Sequence, residues 1–133
     1  MHANALFLLV DDDPDDLMLL KEALHSIDNS IRFAEARDGI AALNFLKDIR
    51  DPAQLPELVV LDINMPVLNG RELLAIIKSE QQLKHLNVVV LTTSSYPGDI
   101  EYCRQFGVEL ITKPFGMEEL LEISARLILA STT

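Results

Sequence analysis

Five aspartates fall within positions 11–16 of the stretch LLVDDDPDD, directly after a short apolar run. Carboxylates packed that closely repel one another, and in a cleft each raises the pKa of its neighbours unless something neutralises them. Further along, Asp62 closes the run LVVLD, Thr92 closes VVVLT, and Lys113 precedes Pro114 in ELITKP. An oxygen-seeking divalent cation relieves carboxylate crowding, and Mg²⁺ is commonly held by one or two carboxylates with water and a phosphate. A carboxylate can also attack phosphorus and form an aspartyl phosphate. That transfer needs charge stabilisation on the equatorial oxygens, which a metal, an ammonium and a hydroxyl can supply. Taken singly, Thr92 reads as a strand-end turn former and Lys113 as a solvated lysine. Asp62 is harder to dismiss, because an aspartate ending an apolar strand bears a burial cost without a partner or metal.

These residues need a frame to bring them together. Apolar, partly β-branched runs at 5–10, 31–36, 58–62, 88–92 and 108–112 are short enough to be strands. LVVLD and VVVLT do not alternate with polar residues, which predicts a parallel sheet covered on both faces. Between the runs, apolar residues recur at helical spacing: Leu17, Leu20, Leu24 and Ile27; Ile40, Leu43, Leu46 and Ile49; Leu73, Leu74 and Ile77; Ile100, Cys103 and Phe106; and Leu120, Ile123 and Leu127. Five strands alternating with five helices predict a doubly wound α/β domain. Such sheets bind ligands beyond the carboxyl ends of their strands. Asp11-Asp12-Asp13, Asp62, Thr92-Thr93-Ser94 and Thr112-Lys113-Pro114 all stand at such ends.

The chain has 133 residues, 49% of them hydrophobic and 24% charged, which suits one globular domain. Its formal charge of −10 argues against nucleic acid, where affinity rests on cationic contacts to phosphate. No apolar run is long enough to span a bilayer, and Ala5 to Val10 is too short for a signal-peptide core, so a cytoplasmic protein is expected. The single cysteine, Cys103, excludes an internal disulfide framework and is expected to serve packing.

Asp11-Asp12 after the first strand, Asp62 in LVVLDINMPVLNG, Thr92 in VVVLTTS and Lys113-Pro114-Phe115 in ITKPF together resemble the receiver domains of bacterial response regulators, from about Ala5 to Leu129. The resemblance implies a flavodoxin-like (βα)₅ fold with a five-stranded parallel sheet in the order 2-1-3-4-5. It implies that Asp62 is the phosphoacceptor, that Asp12 ligates Mg²⁺ with help from Asp11, and that the backbone carbonyl of Asn64 completes the protein ligands. Thr92 would hydrogen-bond the phosphoryl group and Lys113 would pair with it. The Lys113-Pro114 peptide is usually cis in this family, which would aim the lysine inward. Pro66 and Gly70 would shape the loop after Asp62, with Asn69-Gly70 suited to a turn of positive φ. Asn64 and Ser94 would line the approach to the phosphoryl group and tune its lifetime. Of the opening aspartates, Asp11 and Asp12 would then be metal-site carboxylates. Asp13, Asp15 and Asp16 would be the acidic start of the first helix, with Pro14 in its first turn.

One position departs from the family pattern: the residue three before the lysine, usually an aromatic that swings with the threonine, is Leu110. Tyr96 after the threonine loop is a candidate substitute. Asp11, Asp13, Asp15 and Glu22 mimic an EF-hand spacing, but position 6 is Asp16 where glycine is required, and LFLLV is a strand where a helix should enter. A phosphatase of the haloacid dehalogenase type would need an aspartate at Asn64. A flavodoxin would need a hydroxyl- and glycine-rich loop after the first strand. His2, His25 and His85 lie off the predicted edge, so the phosphodonor is expected to be another protein, a sensor histidine kinase or phosphotransfer protein.

The expected protein is therefore a single receiver domain spanning 1–133 without an output domain. It is a phosphoacceptor rather than an enzyme acting on a separate substrate. It would act on a downstream protein target or dimerise through helix four, strand five and helix five, and the longer link IRDPAQLPELVVLD is similar to receivers that accompany phytochrome-type or hybrid histidine kinases. The alternative is a receiver-fold interaction module that works independently of phosphate.

Overall fold

The computed structural model describes residues 4–93 and 96–132. Five strands, β1 (Leu6–Val10), β2 (Arg32–Ala36), β3 (Leu58–Leu61), β4 (Val88–Thr92) and β5 (Glu109–Thr112), alternate with five helices, α1 (Pro14–Ile27), α2 (Gly39–Asp48), α3 (Gly70–Ser79), α4 (Pro97–Gln105) and α5 (Met117–Ala130). All strands are parallel in the order 2-1-3-4-5, as the sequence pattern and the resemblance predicted. The central β3 and β4 are buried along their whole length, which is why their sequences do not alternate. The edge strands carry charge: Glu35 on β2 pairs with Lys21 of α1, and Glu109 on β5 pairs with Arg126 of α5.

Two apolar layers hold the sheet. On one face Leu8, Val59, Leu61 and Val90 pack against Leu46 of α2, Leu73 and Ile77 of α3 and Cys103 of α4. On the other, Phe7, Leu9, Val60 and Leu91 pack against Leu17 and Leu24 of α1 and Ile123 and Leu127 of α5. Cys103 is buried in the first layer, where a thiol acts as a small hydrophobe. No helix among the described residues is long and apolar enough to cross a membrane.

Local chemistry fixes the helix ends. Asp13 caps α1, its carboxylate accepting from the Asp15 amide at 2.9 Å, with Pro14 at the first helical position. Asn69 caps α3 through a reciprocal box: its side chain accepts from Glu72 N, and Glu72 Oε1 accepts from Asn69 N, both at 3.0 Å. α4 ends in a Schellman arrangement, with Gly107 at φ +70° and Val108 N donating to Cys103 O at 3.0 Å.

The loop between β3 and α3 departs from the expected turn. Gly70 is the first residue of α3 rather than a positive-φ residue; the left-handed position is Val67, at φ +68°. What demands a glycine at 70 is crowding, since a Cβ there would overlap the Asp62 carbonyl oxygen and the Ile63 Cα. Gly70 N donates to Ile63 O at 2.9 Å, drawing α3 against the end of β3. Gly70→Ala is therefore expected to lose about 1–3 kcal/mol of stability by overpacking, read as a lower urea midpoint at unchanged slope. A midpoint equal to wild type would show that the loop absorbs the methyl group.

Candidate functional site

The sheet register sets the site. Val10 pairs with Ala36 and Leu61, and Thr92 with Thr112, so the strands end almost level. The ladder continues one step past them: Asp11 N donates to Ala36 O at 3.0 Å, Asp62 N to Val10 O at 2.9 Å, and Lys113 N to Thr92 O at 2.7 Å. Asp11, Asp62 and Lys113 are thereby fixed along the carboxyl edge, with Thr92 fully buried between them.

Asp62 and Asp11 are both buried, 6% and 8% exposed, and each carboxylate is tied to the backbone two residues on. Asp62 Oδ1 accepts from Asn64 N at 3.3 Å, and Asp11 Oδ1 accepts from Asp13 N at 3.0 Å. Their outer oxygens converge on Lys113, whose ammonium donates to Asp11 Oδ2 at 2.7 Å and to Asp62 Oδ2 at 3.2 Å. Asp12 is exposed, yet carboxylate oxygens of Asp11, Asp12 and Asp62 lie within 4.8 Å of one another. Three converging carboxylates are a hard-oxygen donor set that fits a divalent cation. Beneath them lies a cavity of roughly 70 Å³ walled by Asp11, Asp16, Asp62 and Lys113 and by apolar side chains of α1 and the sheet, among them Leu9, Leu17 and Leu91.

The sequence reading missed one member. By position Asp16 reads as part of the acidic start of α1, but its Oδ2 accepts from Lys113 at 2.7 Å, making it a third carboxylate on the same ammonium. One helical turn brings it back to the sheet edge, which spacing along a presumed cap conceals. A second correction concerns Lys113-Pro114. No peptide among the described residues is cis, and the lysine reaches the carboxylates with this bond trans. Ser94 and His2 lie outside the described residues. His25 Nε2 bonds Ile31 O at 2.8 Å, on the amino-end side of the sheet, and His85 is exposed.

Leu110 is half-buried and packs on the first apolar layer, and Tyr96 is exposed at the start of α4. An aromatic engaged near the acceptor loop is Tyr102. Its hydroxyl donates to Arg71 O at 2.8 Å, its ring lies 4.7 Å beneath the Arg71 guanidinium and 5.2 Å from Phe106, and Arg71 pairs with buried Asp99 at 2.7 Å. This ties the first turn of α3 to α4 beside Asn64, with which Arg71 and Asp99 share an open hollow.

The family model for the response regulator receiver domain matches residues 7–125. The chain belongs to the response regulator receiver family. Among curated relatives, the response regulator Rcp1 of Synechocystis sp. is 35% identical over 121 residues, covering 89% of this receiver and 82% of Rcp1. The phosphorylated cyanobacterial phytochrome response regulator RcpA superposes with a TM-score of 0.82 at 36% identity, covering 92% of this chain and 89% of that one. The Mn²⁺-bound form of Rcp1 gives 0.80 at 34% identity, covering 90% and 88%. This receiver is a two-component signalling protein, and its Asp11, Asp12 and Asp62 carboxylates are grouped so that they could hold a metal ion.

The electrostatics explain why such a cluster wants a cation. Burial raises the Asp11 pKa; hydrogen bonds from Lys113 and the Asp13 amide and the Lys113 charge pull it down without cancelling that, and Asp62 adds to the rise. Burial likewise opposes the Lys113 ammonium, but hydrogen bonds to Asp11 and Asp16, with the charges of Asp62 and Asp11, outweigh it and hold its pKa above the ordinary lysine value. One ammonium does not satisfy the carboxylates around it. A carboxyl raised above its ordinary 3.8 favours the fold when protonated, so its contribution is full below 3.8 and is lost as pH rises through the raised value. In metal-free protein, the Tm of Asp11→Asn minus that of wild type should therefore grow as pH rises above 3.8. A difference that stays constant, or shrinks, would contradict this assignment.

Proposed function

We propose that Asp62 is the phosphoacceptor of this receiver. A sensor histidine kinase or a phosphotransfer protein presents a phosphohistidine at the carboxyl edge. An Asp62 carboxylate oxygen attacks phosphorus, the P–N bond breaks with its electrons returning to the imidazole, and an acyl phosphate results. The observation that carries this reading is Asp62 itself: a carboxylate buried at a strand end, held by the Asn64 amide, 3.2 Å from an ammonium and grouped with two further acids.

Asp11, Asp12, Asp62 and the Asn64 backbone carbonyl would hold Mg²⁺, which when bound supplies positive charge to the transferring oxygens. The chain's own residues do the rest. The ladder bonds at Asp11 and Asp62 hold the carboxylates, Lys113 pairs with a phosphoryl oxygen, and Thr92 at the end of β4 bonds another. The protein transfers the group onto itself and loses it by hydrolysis; it turns over no separate substrate.

The new charge would bias the loops and the α4–β5–α5 face between two states, changing binding to a downstream protein or pairing with a second copy. The Arg71 tie between α3 and α4 supports transmission towards α4 without an aromatic at Leu110. Similarity to the cyanobacterial phytochrome response regulator RcpA supports a phytochrome-type kinase as the donor.

Incubation with acetyl phosphate should give an intact-mass phosphate adduct that requires Mg²⁺ and is lost in Asp62→Asn. An adduct that persists in Asp62→Asn, or forms equally in excess chelator, would overturn the assignment. No adduct from a folded, Mg²⁺-binding protein, even with cognate kinase, would favour a phosphate-independent interaction module.

A further inference from the structure

The Lys113 ammonium has three hydrogens and three carboxylates around it. The two shortest contacts, 2.7 Å each, go to Asp11 Oδ2 and Asp16 Oδ2, and the longest, 3.2 Å, to Asp62 Oδ2. Its donors are thus fully committed before any phosphoryl group arrives. Pairing with a phosphoryl oxygen on Asp62 requires it to release one partner. Asp11 is a poor candidate for release, since its carboxylate is buried and bonded to the Asp13 amide. Asp16 differs: its side chain is 36% exposed on the first turn of α1, where water can replace the lysine at little cost.

We infer that Asp16 is a positioning residue that competes with the acceptor for Lys113, so that phosphorylation exchanges the Asp16–Lys113 bond for a bond from Lys113 to the phosphoryl group. The inference rests on the reading of Asp62 as acceptor. Asp16 then sets how much phosphorylated form the site sustains: its carboxylate stabilises the unmodified state, and its release frees the first turn of α1 from the loop after β5. Asp15 provides the contrast. It carries the same charge one position away, but its side chain is exposed and does not touch the lysine.

The test titrates the full chain at saturating Mg²⁺ with beryllofluoride, a tetrahedral mimic of the phosphoryl group, following amide resonances by NMR. Asp16→Asn should reach half-saturation at roughly two- to five-fold lower mimic concentration than wild type, the range a partly exposed ion pair is worth. Asp16→Ser should behave alike, Asp15→Asn should match wild type, and Asp16→Glu, which keeps a carboxylate on the same turn, should stay near wild type. Equal tightening in Asp15→Asn would overturn the inference by reducing the effect to loss of negative charge. Weaker binding in both Asp16→Asn and Asp16→Ser would overturn it by showing that Asp16 aims the lysine at the acceptor. If wild type binds no mimic, the acceptor reading fails and the inference with it; if wild type binds and the Asp16 variants bind equally, this inference alone fails.

Discussion

The structure depends on one electrostatic constraint: a single ammonium serves a crowd of carboxylates at the edge of a parallel sheet. Asp11, Asp16 and Asp62 all bond Lys113, and Asp12 stands close enough to share a cation with Asp11 and Asp62. Four carboxylates against one ammonium leave an excess of negative charge in a partly apolar setting; burial is the main cause of the raised Asp11 pKa, and the Asp62 charge adds to it. Such a site works against folding, so it must be held by structure that is stable for other reasons. That stability lies in the two apolar layers and in β3 and β4, buried on both faces. Under the proposed function, a divalent cation and a phosphoryl group would each change the local charge balance in a definite direction.

The sheet acts as the ruler. Because the ladder runs one bond past Val10, Leu61 and Thr112, the backbones of Asp11, Asp62 and Lys113 are positioned by hydrogen bonds rather than by loop conformation. Loops beyond this line are held by close approach. Gly70 lies against the Asp62 carbonyl, Gly39 lies against Leu68 and donates to its carbonyl at 3.1 Å, and Arg71, one residue on, reaches Asp99 and Tyr102. A charge change at Asp62 is therefore a short chain of contacts from α4.

Much of this was legible from residue order. Unbroken apolar runs give away the buried central strands, and the chemistry at strand ends gives away Asp11, Asp12, Asp62, Thr92 and Lys113. What escaped has specific physical causes. Asp16 looks like a cap residue because only the helical turn returns it to the lysine. The stripes in α2 and α4 are imperfect guides, since the buried positions include Gly39, Ala42 and Asp99, whereas Ile40 and Ile100 are exposed. Gly70 suggests a left-handed turn, yet its need for glycine is steric and the positive φ falls on Val67. The pairing of Arg71 with Asp99, 28 positions apart, depends on how α3 and α4 pack and has no local signal.

The central claim is that the carboxylates of Asp11, Asp12 and Asp62 form one cation site beside Lys113. A crystal grown with Mn²⁺ and measured at the manganese absorption edge tests it most directly. The account predicts one strong anomalous peak about 2 Å from oxygens of these residues, with Lys113 still beside Asp62. A peak elsewhere, or none at saturating Mn²⁺, would contradict it.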